Sequence, residues 1–280
     1  MKGYVVLLLL LPIMAVADTA RIATWNLGGF HQIPQFKLDN IITGMEKLDV
    51  DIIILPELNP LSHGQVIADK LSEPAARCYK STVPDQPKAR QEIGFVHKCN
   101  VTITNIGIIS GSDLGRRGYR NAAVAHVKID QFDFVLVGLH LKAGRGTSNL
   151  NFRNQQLHVL NGYVQGVLMA GEKDVLVIGD YNMIPGEDTN NFETLNASGS
   201  LRYVSSEDLA GQGSHISTNG IGNLLDGYAF TNVDEAEYQE GSLKIVQLHD
   251  ELGLSLTQFK AQITDHLPLI AEFETSVDND

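Results

Sequence analysis

Short runs of apolar residues recur along the chain, and most of them end at a polar residue or a turn. Residues 175–178, in the stretch DVLVIGDYNMIP, are mostly β-branched and predict a buried central strand. Similar runs predict strands at residues 20–24, 50–55, 101–109, 122–129, 132–139, 223–230, 243–248 and 269–273. Apolar residues at helical spacing predict helices at 35–48, 66–71 and 157–168, whereas the polar, Gly- and Ser-rich stretch 196–222 is predicted to be a loop.

This mixture of buried strands and amphipathic helices predicts an α/β protein. The chain has 280 residues, with neither an internal repeat nor an interior linker. A single domain over residues 18–280 is therefore the simplest organisation.

Residues 1–17 have a different composition from the rest of the chain. Lys2 precedes the apolar run VVLLLLLPIMAVA, and Ala15-Val16-Ala17 fits the small-x-small pattern of a cleavage site. This pattern predicts a secretory signal peptide that is removed near Ala17, and the alternative is an uncleaved N-terminal anchor. We therefore expect a secreted or periplasmic monomer without stable membrane association.

The two cysteines, Cys78 and Cys99, flank two extended stretches, YKSTV and EIGFVHK, which the turn-rich PDQPKAR joins. If these stretches form a hairpin, the cysteines meet at its open end. An oxidising compartment would then favour a disulfide, and the alternative is two separate buried thiols.

Polar side chains stand at or near the ends of several predicted strands. They are Asn26, Glu57, His140, Asp180 with Asn182, Asp226, and the pair Asp265-His266. Because chemistry in α/β sheets gathers outside the carboxyl ends of strands, one shared site is more economical than a set of unrelated turn and cap residues. Among these residues, Asp180 can transfer a proton or hold a cation, Asn182 can donate N–H to an anionic oxygen, and Glu57 suits a hard cation.

The formal net charge of −12 argues against a nucleic-acid binder, but the charge is unevenly distributed. Residues 77–153 contain 12 of the 21 Lys and Arg residues and 5 of the 33 Asp and Glu residues, whereas residues 172–280 contain 4 and 20. The basic part includes a Gly-rich loop with Arg116, Arg117, Tyr119 and Arg120. Arginines on such a loop suit phosphate contacts, and the alternative is a solvated basic loop.

The ordered motifs TWN, PE, GLH, GDYN, LDGY and TDH followed by Pro resemble those of the endonuclease/exonuclease/phosphatase superfamily, which has the DNase I-like fold. Each motif alone is weak, and their order and spacing make the resemblance specific from Trp25 to Phe273. The resemblance implies a four-layer sandwich in which two mixed β-sheets lie face to face with helices outside. The active site would lie at one end of the sandwich.

The resemblance also implies roles for individual residues. Glu57 matches the metal-binding Glu, with Asn26 and Asp265 beside it, and the expected cofactor is Mg²⁺, with Mn²⁺ or Ca²⁺ as alternatives. His266 matches the catalytic base and Asp226 the carboxylate that orients it, although LDGYAF departs from the Asp-His or Asp-Arg pair that is frequent in the family. Asp180 and Asn182 match the pair at the scissile phosphate, and either His140 or Asp180 would protonate the leaving oxygen.

The function that this pattern favours is an exported, metal-dependent phosphodiesterase, above all a nuclease whose partner is DNA or RNA. His140 supports this choice, because the abasic-site repair branch generally lacks it. The alternative is a sphingomyelinase-like phospholipid phosphodiesterase or a phosphatase. A binding module of the same fold without chemistry is disfavoured because every motif position is filled. The sequence lacks G-x-S-x-G and H-E-x-x-H, which argues against serine hydrolases and zincins.

Overall fold

The computed structural model describes residues 18–29, 34–59, 62–74, 77–86, 89–231 and 237–278, so the predicted signal peptide at 1–17 lies outside the described residues. The strands are β1 (Thr19–Thr24), β2 (Ile52–Leu58), β3 (Tyr79–Thr82), β4 (Glu92–Lys98), β5 (Thr102–Ile108), β6 (Ala123–Ile129), β7 (Phe132–His140), β8 (Val175–Asp180), β9 (Arg202–Tyr203), β10 (Ile216–Ser217), β11 (Gly220–Ile221), β12 (Asp226–Phe230), β13 (Lys244–Ile245) and β14 (Leu269–Glu274). The helices are α1 (Gln35–Leu48), α2 (Ser62–Leu71), α3 (Thr147–Met169), α4 (Thr189–Asn196), α5 (Ser205–Asp208), α6 (Leu248–Glu251) and α7 (Leu256–Gln262).

Two six-stranded sheets form the centre of the fold. The first has the strand order β13-β14-β1-β2-β4-β3 and the second β5-β6-β7-β8-β12-β9. Each sheet is mixed, because β1 pairs with β2 and β7 pairs with β8 in parallel, while the other ladders within these sheets are antiparallel. The predicted fold class, two mixed β-sheets flanked by helices in a DNase I-like sandwich, is confirmed.

The central strands are buried on both faces. In β7, Phe134 and Leu136 belong to the core between the sheets, whereas Val135 and Val137 pack into a second core with apolar residues of α3. This alternation follows from the two-residue period of a strand and explains why the central strands read as continuous apolar runs. Tyr228 of β12 crosses between the sheets and donates its hydroxyl hydrogen bond to the Ile22 carbonyl of β1 at 2.8 Å. This hydrogen bond connects the two sheets across the core.

The predicted hairpin between the cysteines is present. Strands β3 and β4 pair antiparallel from Tyr79–Lys98 to Thr82–Phe95, and a disulfide joins Cys78 to Cys99 at the open end, with the two Cα atoms 5.3 Å apart. Within the described residues, none of the helices is both long enough and apolar enough to cross a membrane.

Two stretches differ from the prediction. The stretch 196–222, predicted to be a loop, contains β9, α5 and the small hairpin of β10 and β11. The predicted strand at 243–248 is only the two residues of β13, after which α6 begins at Leu248. In both stretches the elements are too short to show the periodicity from which helices and strands are predicted.

Candidate active site

Six of the predicted polar residues meet at one end of the sandwich. Asn26 follows β1, Glu57 lies in β2 and His266 precedes β14, all in the first sheet. In the second sheet, the register places Asp180 beside both His140 and Asp226 on the neighbouring strands. The site is therefore built from both sheets, and chain segments far apart in the sequence contribute to it.

Asn26 is at the centre of this site and bridges the two sheets. Its Nδ2 donates to Oε1 of Glu57 at 3.2 Å and to Oδ2 of Asp180 at 3.0 Å. Its Oδ1 accepts a hydrogen bond from the backbone N–H of Gly28 at 2.9 Å. In this orientation Asn26 presents its amide N–H groups, and not its oxygen, to the two carboxylates.

Glu57 is held in place by several donors. The Gly29 backbone N–H and the Gln91 Nε2 donate to its Oε2 at 2.9 and 2.7 Å. Its backbone has φ 66°, in the left-handed region, where the β2–β4 register shifts between Leu55 and Leu58. Glu57 therefore adopts a backbone conformation that is uncommon for a non-Gly residue, at an irregularity of the β2–β4 ladder, and such conformations cluster at functional sites.

His140 is buried and neutral. Its Nε2 lies 3.5 Å from Oε1 of Glu57 and 3.5 Å from Oδ2 of Asp180. Burial, together with the positive charges of Arg120 and His266, holds the pKa of His140 well below its ordinary value. The neutral imidazole therefore faces both carboxyl groups without forming a charged pair with either.

Asp180 is the buried carboxyl group of the GDYN motif. Its Oδ1 accepts the backbone N–H of Asn182 at 2.9 Å, in a turn that gives Asn182 a φ of 51°. Burial and the nearby carboxylates of Asp226 and Glu57 raise the pKa of Asp180 to about 7, although His266 acts in the opposite direction. Asp180 therefore retains a proton much closer to neutrality than an exposed aspartate does.

His266, Asp226 and Ser214 form a hydrogen-bonded chain behind the carboxyl groups. His266 Nδ1 lies 2.7 Å from Asp226 Oδ2, which also accepts the Ser214 hydroxyl at 2.7 Å. Burial disfavours the charged imidazole, but the carboxylates of Asp226, Asp180 and Asp265 together outweigh burial and the pKa of His266 rises to about 10. Trp25 Nε1 donates to the His266 carbonyl at 2.9 Å and fixes the backbone there.

A cavity of about 900 Å³ opens beside Glu57. Its lining includes the three arginines Arg90, Arg117 and Arg120, together with Gln91 and Tyr119. We call this cavity the arginine pocket. Because Gln91 donates to Glu57, and Arg120 Nε donates to the His140 carbonyl at 3.3 Å, the pocket is continuous with the carboxyl site.

The predicted phosphate-binding residues therefore occupy different places. Arg120 and Arg117 line the arginine pocket, whereas Arg116 lies over the Phe152 ring, with its guanidinium carbon 5.3 Å from the ring centroid. Tyr119 lines the pocket and also packs on Phe152, with the ring centroids 5.0 Å apart. Arg90 and Gln91 were not predicted. Arg90 ends the PDQPKAR turn and Gln91 directly precedes β4, and their only signal was their place in the basic part of the chain.

Asp265, which was predicted to share a metal with Glu57, belongs to a different group of ligating side chains. Among the described residues, no group of three ligating side chains contains both carboxylates. Asp265 instead groups with His215 and His266. A hydrogen bond from His215, together with the positive charges of His266 and Lys260, holds the pKa of Asp265 well below its usual range. His215 was not predicted, because it lies in the stretch that was interpreted as a loop.

The group of Glu57, His140 and Asp180 fits a divalent cation. One ligand atom of each residue lies within 4.8 Å of those of the other two. Burial above all, and then the carboxylates of Asp226 and Glu57, raise the pKa of Asp180, and a cation or a proton would offset the negative charge that gathers here. Oxygen ligands with room for retained waters suit Mg²⁺, and the nearby imidazole is also compatible with Mn²⁺.

No protein-family model matches the sequence, and no curated protein matches it either. Solved structures match the fold closely. An endonuclease/exonuclease/phosphatase family protein from Bacteroides thetaiotaomicron is 14% identical with a TM-score of 0.65, covering 91% of this chain and 97% of that chain. D. rerio TDP2, complexed with a single-strand DNA product, is 15% identical with a TM-score of 0.64, covering 91% and 99%.

A third match is the mannosyl-6-phosphatase Bt3783 of Bacteroides thetaiotaomicron, which is 12% identical with a TM-score of 0.63 and covers 90% of this chain and 98% of that chain. The chain therefore has the endonuclease/exonuclease/phosphatase fold that its motifs predicted.

Proposed function

We propose that this chain, which has the fold of the endonuclease/exonuclease/phosphatase proteins, is an exported, Mg²⁺-dependent phosphodiesterase that hydrolyses DNA or RNA. One observation carries the proposal. The carboxyl and imidazole groups at the end of the sandwich are continuous with the arginine pocket, whose lining among the described residues has three arginines and no carboxylate. A reactive phosphate at the carboxyl site would thus have a place for a neighbouring phosphate.

Glu57 would hold the cation. Its position is fixed by the Gly29 N–H and the Gln91 amide, and its Oε1 faces the site. The bound cation would neutralise charge on the phosphoryl oxygens and polarise water. Asn182 brings a neutral amide to the same place, and one of its two N–H groups donates to the Leu141 carbonyl, which leaves the other for a phosphate oxygen and adds no negative charge there.

Asp180 is the better candidate for the proton donor to the leaving oxygen. Its pKa is raised to about 7, whereas that of His140 lies well below the ordinary value. In the cation-free site at neutral pH, a substantial fraction of Asp180 therefore carries a proton, and His140 does not carry the extra one. A protonated Asp180 also lets two carboxyl groups face each other without repulsion.

His266 would accept the proton of the attacking water, with Asp226 and Ser214 fixing its orientation. The negative charge that raises its pKa to about 10 comes from Asp226, Asp180 and Asp265. Protonation of Asp180 and a cation bound to Glu57 would both reduce the negative potential around His266. Both changes lower the His266 pKa toward the range in which the imidazole can act as a base.

The uneven charge of the chain favours a polyanionic substrate. The three arginines of the arginine pocket belong to residues 77–153, which contain 12 of the 21 Lys and Arg residues of a chain whose net charge is −12. A polyanion could bind along this basic part of the chain, because each phosphate beside the reactive one would gain contacts with Lys or Arg and release counterions. The D. rerio TDP2 structure with single-strand DNA product is an example of nucleic acid held by this fold.

A phosphomonoesterase is the second candidate, because the same fold occurs in a mannosyl-6-phosphatase. A sugar phosphate carries a single phosphate, however, and would leave most of the arginine pocket without an anion. Export is proposed on the leader pattern of residues 1–17 and is supported by the Cys78–Cys99 disulfide, which is typical of oxidising compartments.

The test is hydrolysis of plasmid DNA, RNA, sphingomyelin vesicles and mannose 6-phosphate by the purified protein, with Mg²⁺ or with EDTA. We expect EDTA-sensitive cleavage of nucleic acid, lost in His266→Ala and retained in His158→Ala, which replaces an exposed histidine of α3. Release of phosphocholine or inorganic phosphate with intact nucleic acid would contradict the proposal and favour the lipid or the monoester substrate.

A further inference from the structure

A second group of ligating side chains lies beside the carboxyl site and differs from it in chemistry. It consists of His215, Asp265 and His266, and one ligand atom from each lies within 4.8 Å of those of the other two. His215 Nε2 lies 3.6 Å from Asp265 Oδ2. The imidazole rings of His215 and His266 meet edge to face, with their centroids 5.2 Å apart.

Backbone hydrogen bonds hold the two contributing segments together. The Ile216 N–H donates to the Asp265 carbonyl and the Leu267 N–H donates to the Ser214 carbonyl, each at 2.7 Å. The base of the β10–β11 hairpin is also tight, since a Cβ on Gly213 would stand 1.9 Å from the Gly222 carbonyl oxygen. The three side chains are therefore carried on a connected frame and not on independent loops.

His266 already has the partner that a metal-binding histidine usually has. Its Nδ1 is engaged by the Asp226 carboxylate at 2.7 Å, and Ser214 hydrogen-bonds to the same carboxylate oxygen. A carboxylate on one ring nitrogen fixes the imidazole and increases its basicity as a ligand through the other nitrogen. Nε2 of His266 is thus the nitrogen left for a ligand.

The donor set selects the kind of ion. Two imidazoles and one carboxylate suit Zn²⁺ and neighbouring transition metals, whereas Mg²⁺ prefers oxygen ligands. An ion must also compete with Lys260, whose Nζ lies 3.6 Å from Asp265 Oδ2. This competition disfavours a weakly bound ion and favours one that binds imidazole strongly. The side chains of His215 and Asp265 are 28% and 37% exposed, so the group can be reached from solvent.

We propose that His215, Asp265 and His266 bind Zn²⁺ at a site separate from the Glu57 cation, and that occupation of this site inhibits hydrolysis. Inhibition follows because Zn²⁺ would engage Nε2 of His266, the nitrogen that would otherwise accept the proton of water. The binding part of this inference stands on the geometry alone, and the inhibitory part rests on the proposed function.

Binding is tested without any substrate. The purified protein, in excess Mg²⁺ to occupy the oxygen-rich site, is titrated with ZnCl₂ against a chromophoric zinc indicator, and with CoCl₂ to record visible d–d absorption. We expect one ion per chain and an affinity that falls at least about tenfold in His215→Ala and His215→Gln but not in the matched variant His158→Ala. Melting curves of all variants verify folding. Unchanged zinc affinity in both folded His215 variants would overturn the site.

Inhibition is tested separately with the best substrate of the hydrolysis assay. The activity of each variant with ZnCl₂ is divided by its own activity without it, so that differences in basal rate cancel. We expect the ratio to fall well below one in wild type and in His158→Ala, and to move toward one in His215→Gln. Equal inhibition of all variants would refute the inhibitory role. If the protein hydrolyses none of the substrates, the proposed function fails while the zinc titration still decides the site.

Discussion

At the scale of single residues, the structure separates two carboxyl groups that look alike in the sequence. Glu57 and Asp180 both face Asn26 and His140, but Asp180 is the more deeply buried of the two, and its burial raises its pKa to about 7. We expect Glu57→Gln to raise the Mg²⁺ concentration needed for half-maximal hydrolysis by at least tenfold. We expect Asp180→Asn to lower kcat by about 10²–10⁴ while leaving the Mg²⁺ requirement near that of wild type.

The measurement is a set of Mg²⁺ titrations of the hydrolysis rate for wild type and both variants. Asn182→Ala is a useful comparison, because it removes an amide of the same motif without altering either carboxyl group. If Asp180→Asn shifts the Mg²⁺ requirement as much as Glu57→Gln does, both residues bind the cation and the proton donor must be sought elsewhere.

Glu92 gives a second test, on stability. Glu92 lies in β4 and is 8% exposed. Burial and the negative charge of Asp85 raise its pKa to about 7, although a hydrogen bond from the Gln86 backbone acts in the opposite direction. Between the ordinary glutamate pKa near 4.5 and pH 7, the folded state keeps a proton that the unfolded state has lost. Stability therefore falls as pH rises through this window, by roughly 3 kcal/mol in total.

Glu92→Gln removes this titration. We expect urea unfolding at pH 8 to show Glu92→Gln more stable than wild type, with the difference shrinking toward pH 5. The exposed Glu251→Gln is the matched control and should leave the pH profile of wild type unchanged. A stability difference between Glu92→Gln and wild type that stays constant from pH 5 to pH 8 would show that Glu92 is solvated.

At the scale of elements, the β3–β4 hairpin is closed by the Cys78–Cys99 disulfide, whose residues are 21 positions apart. Cross-linking a loop of this length reduces the entropy of the unfolded chain, which corresponds to about 3 kcal/mol. We expect Cys78→Ser/Cys99→Ser to lower the free energy of unfolding by that order, measured in urea. Wild type measured with reductant should match the double variant, and a stability that does not respond to reductant would contradict the prediction.

The β7–β8 pair depends on a glycine. A Cβ on Gly179 would stand 2.1 Å from the Leu139 carbonyl oxygen, and its φ of 146° is one that other residues rarely adopt. Gly179→Ala should therefore separate β8 from β7, displacing Asp180 from His140, and cost more than about 2 kcal/mol. Gly166 occupies an exposed position of α3, where an added Cβ would have no atom within 4 Å. Gly166→Ala should therefore stabilise the protein by up to about 1 kcal/mol. Melting temperatures that shift in the same direction in both variants would contradict this.

The elements that the sequence predicted well are those with a strong local signal. The helix at 35–48 and the paired strands of β6 and β7 carry repeated apolar positions, so tertiary packing reinforces the local preference. Helix α7 was missed although Ser255 and Gln258 form a capping box, a signal that is legible in the sequence. The hairpin of β10 and β11 had no such signal, because it is fixed by contacts with residues 265–267.

At the scale of the whole molecule, the site could be predicted only where its residues belong to ordered motifs. The strand-end residues converge as expected, because the sheets bring strand ends together. Ser214, His215, Arg90 and Gln91 could not be predicted, because their roles depend on which distant segment each one meets. The bulge that places Glu57 is likewise a property of the β2–β4 register and not of the local sequence.

The uneven charge of the chain leads to a prediction about salt. If the arginine pocket binds a phosphate next to the reactive one, Arg90→Ala/Arg117→Ala should raise KM for nucleic acid several-fold and reduce the slope of log KM against log salt concentration by about one per lost contact. Hydrolysis of bis(p-nitrophenyl) phosphate, a diester without a neighbouring phosphate, should change little in the same variant. The control Lys47→Ala removes an exposed positive charge in α1. Equal losses of activity on both substrates would place these arginines at the reactive phosphate itself. Unchanged activity on both substrates would mean that the arginine pocket does not contact the polyanion, and would favour a substrate with a single phosphate.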